Sequence, residues 1–551
     1  MGLKPQALCL RPFGAGYSFL PPSDTRSTWS PLRHTIFRWL WIASVASNIG
    51  TWFQNVGASW MMTTLSPSPV LVALVQAATS LPMFLLSLPA GAVADVLDRR
   101  RLLLVTQIWM TLAAFGLWAF TAAHATTPSI LLSFTFLLGL GAALNGPAWQ
   151  ASIPEMVPRE DLPAAVTLGS IGFNIARAAG PALAGLVVAT AGPAFTFLVN
   201  ALSFVGVLMV LYFWRRPVEE AMLPAERIWG AMTTGLRYVR HAPEVIAPIV
   251  RGCTFVSCGA SLWALLPLIA SHKLKAGPEG YGLLLAALGA GAVAGAMALP
   301  HLKRNNSMDA VVAVATLVFA GATIALGYVS SFWLLMLAML LAGGAWLSLL
   351  SSLNVAVQTV VPSWVTGRAL SVYMLVFYAG LAGGSALWGV VGEHIGISRA
   401  LLVSGIGMIL GLAATFRIHI RSGEGLNLAP SRQWAAPVVT HNLEPDRGPV
   451  LVTVRYRVDP ARSAEFTDAM HAVSRIRRRD GAMQWGLFVD SADPNLHTEV
   501  FLVKSWIEHL RQHERVTHAD KDIQERARAF HVGPEPPIVE HLIASPPRRA
   551  R

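Results

Sequence analysis

Three groups of residues in this 551-residue chain have types and spacings that could do chemistry. The first is Gly91-x-x-x-Asp95-x-x-Asp98-Arg99-Arg100, where carboxylates and guanidinia follow a long apolar run. Such groups, where a helix leaves a bilayer, can pair with each other or with a neighbouring helix terminus. That makes a latch closed in one conformation and open in another. The plainer reading is a charge cluster that only stops the helix. The second group is Asn174, Arg177, Gly180, Pro181 and Gly185. Here a cation and an amide lie one turn apart, beside small residues that let backbones approach and a proline that permits a local bend.

The third group consists of polar side chains inside apolar runs. Asn48, Trp52 and Asn55 share one helical face, and Gln76, Asn145, Asn174, Arg177 and Asn354 lie further along, with Arg251 near a run's start. Polar groups in hydrocarbon are costly and normally face the bundle interior or a water-filled cavity. These eight, Arg251 excluded, are the expected substrate pathway; amides acting only as interhelical hydrogen bonds are the competing reading. Arg251 could equally well snorkel to the membrane surface.

Apolar runs long enough to cross a bilayer must position these groups. Spans of about 20 residues are needed, and twelve fit between residues 34 and 420, from 36–62 to 399–418, with a polar break at 215–243. The chain is 54% hydrophobic and 13% charged, with a mean hydropathy of +0.51, against about 25% charged for a soluble domain. The expected fold is therefore an all-α polytopic membrane protein of twelve transmembrane helices in two six-helix halves, 34–214 and 244–420. Residues 1–33 read as a disordered tail.

The halves are related in sequence. At an offset of 204 residues, Val157-Pro158 returns as Val361-Pro362, Gly180 as Gly384, Gly185 as Gly389, and Gly91-Ala92 as Gly295-Ala296. Such duplication is the architecture of one large class of transporters. Small residues, Gly172, Gly180, Gly185, Gly384 and Gly389 among them, repeat at helical spacings suited to close interhelical packing. The acid of the first group is not kept: Leu299 stands where Asp95 would recur.

A net charge of +12 is of the sign that attracts nucleic acid, but its distribution points elsewhere. Arg99, Arg100, Arg159, Arg237, Lys303 and Arg368 fall on one side of the predicted spans, and only Lys273, Lys275 and Arg399 fall on the other. This is the asymmetry that places both termini in the cytoplasm, so nucleic-acid binding is not expected. There is no phosphate-binding Gly-x-x-x-x-Gly-Lys-Ser/Thr segment to drive transport with ATP, and no Asp or Glu at the middle of a span. Cys9, Cys253 and Cys258 form no disulfide framework.

The stretch from Gly91 to Arg100 resembles the cytoplasmic signature loop of the major facilitator superfamily. Asn174…Arg177…Gly180-Pro181…Gly185 resembles the Gly-Pro motif of its antiporters. Together with Val157-Pro158-Arg159-Glu160-Asp161-Leu162, the chain is similar to the exporter branch that includes the enterobactin exporters, often called transmembrane secretion effectors. The resemblance covers about residues 33–420. It implies efflux of a drug, siderophore or metabolite across the inner or plasma membrane by alternating access, with protons as coupling ion. It also implies gating by Gly91, Asp95, Asp98, Arg99 and Arg100. The small-molecule substrate and the lipid bilayer are the expected partners.

After a linker at 421–447 the character changes. Residues 448–543 hold 13 Lys and Arg against 14 Asp and Glu, a net of −1. Strands are expected at 450–457, 483–489, 498–504 and 537–543, with helices from Asp459-Pro460 and over 505–529. That order is a small α+β ferredoxin-like domain, and 544–551 is a basic tail. The stretch around Val500-Phe501-Leu502-Val503-Lys504-Ser505-Trp506 resembles the dimeric α/β-barrel modules of the antibiotic-biosynthesis-monooxygenase type, which implies a homodimer through this domain. His509, His513 and His518 lie at spacings of four and five on helical sequence. A metal pair is conceivable there, but with no completing carboxylate or Cys a solvated face is expected, and no cofactor or catalysis. A membrane-anchored enzyme or sensor working through this domain is the alternative to transport.

Overall fold

Apolar helices form wherever the sequence supplies long uncharged runs, because a backbone in hydrocarbon must satisfy its own hydrogen bonds. In a computed structural model these are α1 (Thr35–Leu65), α2 (Pro69–Val96), α3 (Arg99–Ala122), α4 (Pro128–Ser152) and α5 (Leu162–Phe213). After α6 (Ile228–His241) come α7 (Pro243–Leu268), α8 (Gly277–Asn305), α9 (Met308–Tyr328), α10 (Phe332–Val360), α11 (Thr366–Ile395) and α12 (Ile397–Ala414). The structure describes residues 27–214, 228–420, 427–431, 444 and 446–545, without the side chains of 92, 94–96 and 228–234. The expected tail up to residue 26 with Cys9, the loop 215–227, most of the 421–447 linker, the end of the basic tail and the Asp95 side chain lie outside the described residues.

Ten helices among the described residues are long and apolar enough to cross a membrane. One of them, α5, has 52 residues and turns at Gly192, whose φ of 79° only glycine adopts freely, so it is two segments in one. The 31-residue α1 falls outside the ten because Ser44, Asn48, Gln54 and Asn55 dilute its apolar content, yet it packs along α5. Residues 30–33, assigned to the tail by sequence, form a helical turn in which Ser30 Oγ donates to Asp161 Oδ1 at 2.7 Å.

The halves meet along two antiparallel seams, α5 against α8 and α2 against α11. At the first, a Cβ on Gly185 would lie 2.9 Å from the Gly282 Cα and 2.6 Å from the Pro278 carbonyl oxygen. At the second, a Cβ on Gly389 would lie 2.6 Å from Ala73 Cβ and 3.1 Å from Val70 Cα. Both contacts sit at one end of the bundle. There Ser68 Oγ also donates to Glu393 Oε2 at 2.6 Å, and Trp60 stacks on Tyr281 at 6.2 Å. Towards the opposite end, Cβ atoms on Gly91, Gly169 and Gly367 would meet nothing within 4 Å. At the Gly185 and Gly389 end the two seams are closed.

Beyond the bundle, β1 (Val450–Arg457), α13 (Ser463–Asp480), β2 (Ala482–Val489), β3 (Leu496–Val503), α14 (Trp506–Arg515), α15 (His518–Arg528) and β4 (Ile538–Ile543) form a second unit. Its sheet is antiparallel in the order β2-β3-β1-β4. The single helix expected over 505–529 is divided. Val516 is extended, and Thr517 starts α15 with a capping box, its hydroxyl accepting from the Asp520 backbone N–H while the Asp520 carboxylate accepts from the Thr517 N–H.

Candidate functional site

The N-terminal signature residues are anchored within their own half. Asp98 caps α3, its Oδ1 accepting from the Arg101 backbone N–H at 2.8 Å. Arg99 donates to the Ala151 carbonyl at 3.0 Å and to Glu155 Oε1 at 2.8 Å, tying the start of α3 to the end of α4. Arg100 donates to the carbonyls of Leu211 and Tyr212 at the end of α5, at 3.2 and 2.6 Å. A cation among the last carbonyls of a helix satisfies orphan acceptors and opposes the negative dipole end. Sequence reasoning missed Glu155, which is 56 residues from Arg99 and beyond the reach of any local pattern.

Asp161 holds a second anchor, with His34 Nε2 2.9 Å from its Oδ2. In the second half Arg251, which the sequence left free to snorkel, is 5% exposed and fixed instead. Its Nη1 donates to Asp309 Oδ1 at 2.6 Å and its Nη2 to the Thr415 carbonyl at 3.3 Å.

The expected pathway residues, Asn48, Trp52, Asn55, Gln76, Asn145, Asn174, Arg177 and Asn354, are all half-buried. Some are engaged locally. Asn145 accepts from Thr106 Oγ1 across α3 and α4 at 3.1 Å, Gln76 donates to Ser80, Asn174 to the Ser170 carbonyl, and Gln358 to Asn354. Trp52 packs against Gly180, where a Cβ would lie 2.8 Å from its own Cβ, and Gly172 is overlain by Val45 and Trp41. That parallel register of α1 on α5 sets Asn48 level with Ala176 and Arg177.

Arg177 is different in kind. It makes no ion pair or hydrogen bond among the described residues, yet it sits mid-span on the seam. A Cβ on Gly289 of α8 would press on its carbonyl carbon at 3.1 Å and on Ala178 Cα at 3.2 Å.

The second unit docks on the bundle through charge. Glu508 of α14 accepts from Arg237 of α6 at 3.4 Å and pairs with Arg515. Burial would raise the Glu508 carboxyl, but Arg515 and Arg237 hold it below its ordinary range. The Arg515 guanidinium lies over the Trp364 ring, 4.6 Å from its centroid. Arg479 spans Asp480 and Asp520 at 2.9 and 2.7 Å and faces Tyr238. A cavity of about 720 Å³ between the units is lined by Tyr238, His241, Glu244, Arg417, Arg475 and Asp520.

Inside the unit, Arg477 and Glu499 are paired at 3.0 Å, and the Trp485 ring N–H donates to the same carboxylate at 3.0 Å. The histidine expectation is corrected. His509 is 1% exposed rather than solvated, and its third neighbour is His541 of β4, not His518. Burial first, then His513 and His541, push His509 down to about 3. Burial likewise lowers His513 to about 4 and draws His541 down. No sequence spacing links α14 to β4; only the antiparallel pairing of β4 with β1 brings His541 there.

Comparison with known proteins agrees with this geometry. Residues 26–549 match the transmembrane secretion effector family, the soluble unit included. The staphyloferrin A transporter of Staphylococcus aureus is 26% identical over 366 residues, covering 66% of this chain and 90% of that protein. The enterobactin exporter EntS of Salmonella typhi is 27% identical, covering 68% and 90%. The multidrug efflux pump Tap of Mycolicibacterium fortuitum is 24% identical, covering 69% and 95%. Two solved structures share the fold, each covering 70% of this chain at 15% identity. A bacterial Spinster homologue in an inward-facing, unoccupied conformation has a TM-score of 0.56, and a bacterial ferroportin homologue in an inward-facing state has 0.54. The chain belongs to the transmembrane secretion effector family of major facilitator transporters.

Proposed function

We propose that this protein exports a small, amphiphilic, negatively charged molecule from the cytoplasm. Twelve spans, counting α1 and both segments of α5, would form two six-helix halves that rock about the α5–α8 and α2–α11 seams. With both termini cytoplasmic, the closed end faces outwards, which leaves the cytoplasmic side as the side of access. The observation that carries the charge of the cargo is Arg177, a mid-span cation on the seam with no counter-ion among the described residues. A guanidinium in a low-dielectric site is stable when water or an anion solvates it, and the half-buried Asn48 at its level adds a neutral hydrogen-bonding wall. The enterobactin exporter and the multidrug efflux pump among the relatives support the same direction of transport.

Protons are the proposed coupling ion. With no acid at mid-span, Asp95 or the anionic group of the cargo would carry the proton. The C-terminal unit is read as a ferredoxin-like docking module. Its exposed Phe488, Val539 and Leu542 support pairing with a second copy, a state that light scattering in detergent reads directly.

The test is efflux from energised cells loaded with carboxyfluorescein, an anion, or rhodamine 6G, a cation. A charge-assisted hydrogen bond is worth about 1.5–3 kcal/mol, so Arg177→Ala should cut anion efflux at least ~10-fold, with Arg177→Lys recovering part of it. Preferred efflux of the cation, or unchanged anion efflux in Arg177→Ala at equal expression, would overturn the assignment.

A further inference from the structure

One side-chain cluster serves neither the bundle nor the docking contacts. His509 and His513 project from α14, one turn apart, and His541 comes from the edge strand β4. One ring nitrogen from each lies within 4.8 Å of the others. His509 Nε2 and His513 Nε2 are 3.3 Å apart, and the His541 ring centroid is 4.6 Å from that of His509. Two nitrogens bound to one zinc ion at ~2.1 Å in tetrahedral geometry are ~3.4 Å apart. The α14 pair therefore already has the spacing of two ligands of one ion, and a modest side-chain rotation of His541 supplies the third. A single hydrogen bond between His509 and His513 would explain the first distance. It would not explain the third ring brought from β4.

We propose that His509, His513 and His541 bind one divalent transition-metal ion of the zinc class, with a fourth position open to water or a small ligand. Three neutral imidazoles with no carboxylate in the set favour Zn²⁺, Co²⁺, Ni²⁺ or Cu²⁺ over Mg²⁺ and Ca²⁺. His509 is buried while His513 and His541 are half-exposed, so the ion has a rigid floor and an entry path. The site also has a consequence for docking. The turns of α14 that carry His509 and His513 carry Glu508 and Arg515 on the side that meets Arg237 and Trp364, so an ion bridging α14 to β4 would stiffen the element that holds the unit on the bundle.

The test is Zn²⁺ titration of the full-length, tag-free protein in detergent by calorimetry, with Co²⁺ absorption as an independent readout. The expected result is one Zn²⁺ per chain, ligand-field bands of tetrahedral intensity with Co²⁺, and a higher melting temperature with Zn²⁺. His541→Gln, at a half-exposed position, should lower Zn²⁺ affinity at least ~100-fold and abolish the metal-dependent rise in melting temperature. Its melting temperature in chelator should stay that of the wild type, which separates ligand loss from misfolding. His518→Ala should bind as the wild type does. Absence of saturable Zn²⁺ binding by the folded wild type, or equal affinity in His541→Gln, would overturn the site.

Discussion

In the first half of the bundle, Arg99 and Arg100 hold the start of α3 to Glu155 and to the carbonyls that end α5. At the equivalent place 204 residues on, Lys303 and Arg304 end α8 with Leu299 in place of the acid, and Arg304 is exposed without an ion pair among the described residues. The second half is fixed elsewhere, by Arg251 on Asp309 and on the carbonyl that ends α12. Small residues at the seams, by contrast, are kept in both halves. Duplication has preserved the contacts through which the halves meet and replaced the charges that brace each half. Close backbone packing tolerates little change, whereas a cation can find helix-end carbonyls from more than one position.

The largest expected effect is in the second half. Arg251→Ala leaves Asp309 with only the Ile420 N–H and His419 as partners and removes one of two donors to the Thr415 carbonyl, a loss of about 3 kcal/mol. Little folded protein should reach the membrane, as measured by fluorescence-detected size exclusion. Retained yield would mean that the second half is braced by other contacts. Next comes Gly185→Leu. Overpacking costs about 1–3 kcal/mol, here charged only to the closed seam, so efflux should fall about 5- to 100-fold with normal expression. Unchanged efflux would show that this contact is not remade in the transport cycle.

In the first half, Glu155→Gln removes a part-exposed partner of Arg99 and should lower stability by no more than about 1 kcal/mol. Efflux should nevertheless fall several-fold if the Arg99 anchor moves during transport; equal losses in stability and efflux would make it a static brace. The smallest effect is expected for Leu299→Asp, which restores the acid of the repeat beside Lys303 and Arg304. Since the second half is already anchored at Arg251, efflux should change by less than about twofold. A large gain would mean that the two halves share one latch after all.

The seam glycines were legible in the sequence because close packing leaves a local signature, small residues three and four apart. The strands of the C-terminal unit were legible through their alternation. Less legible was whatever depends on residues distant in the chain. Glu155 meets Arg99, Asp309 meets Arg251, and His541 meets His509 only after helices and strands have packed. The break between α14 and α15 was readable in principle from Thr517-x-x-Asp520, a capping pair hidden by the helical composition on either side. The run of polar groups in α1 reads as a weak membrane helix by hydropathy, although its contact with α5 gives it a place in the bundle.

Alternating access requires the halves to separate at the end where Ser68 meets Glu393. In a background with Cys9, Cys253 and Cys258 replaced by serine, cysteines at positions 68 and 393 should be joined by a short bis-methanethiosulfonate reagent. Efflux should then stop and return on reduction. Full efflux with the cross-link in place, or failure of the pair to react at all, would contradict alternating access through this seam.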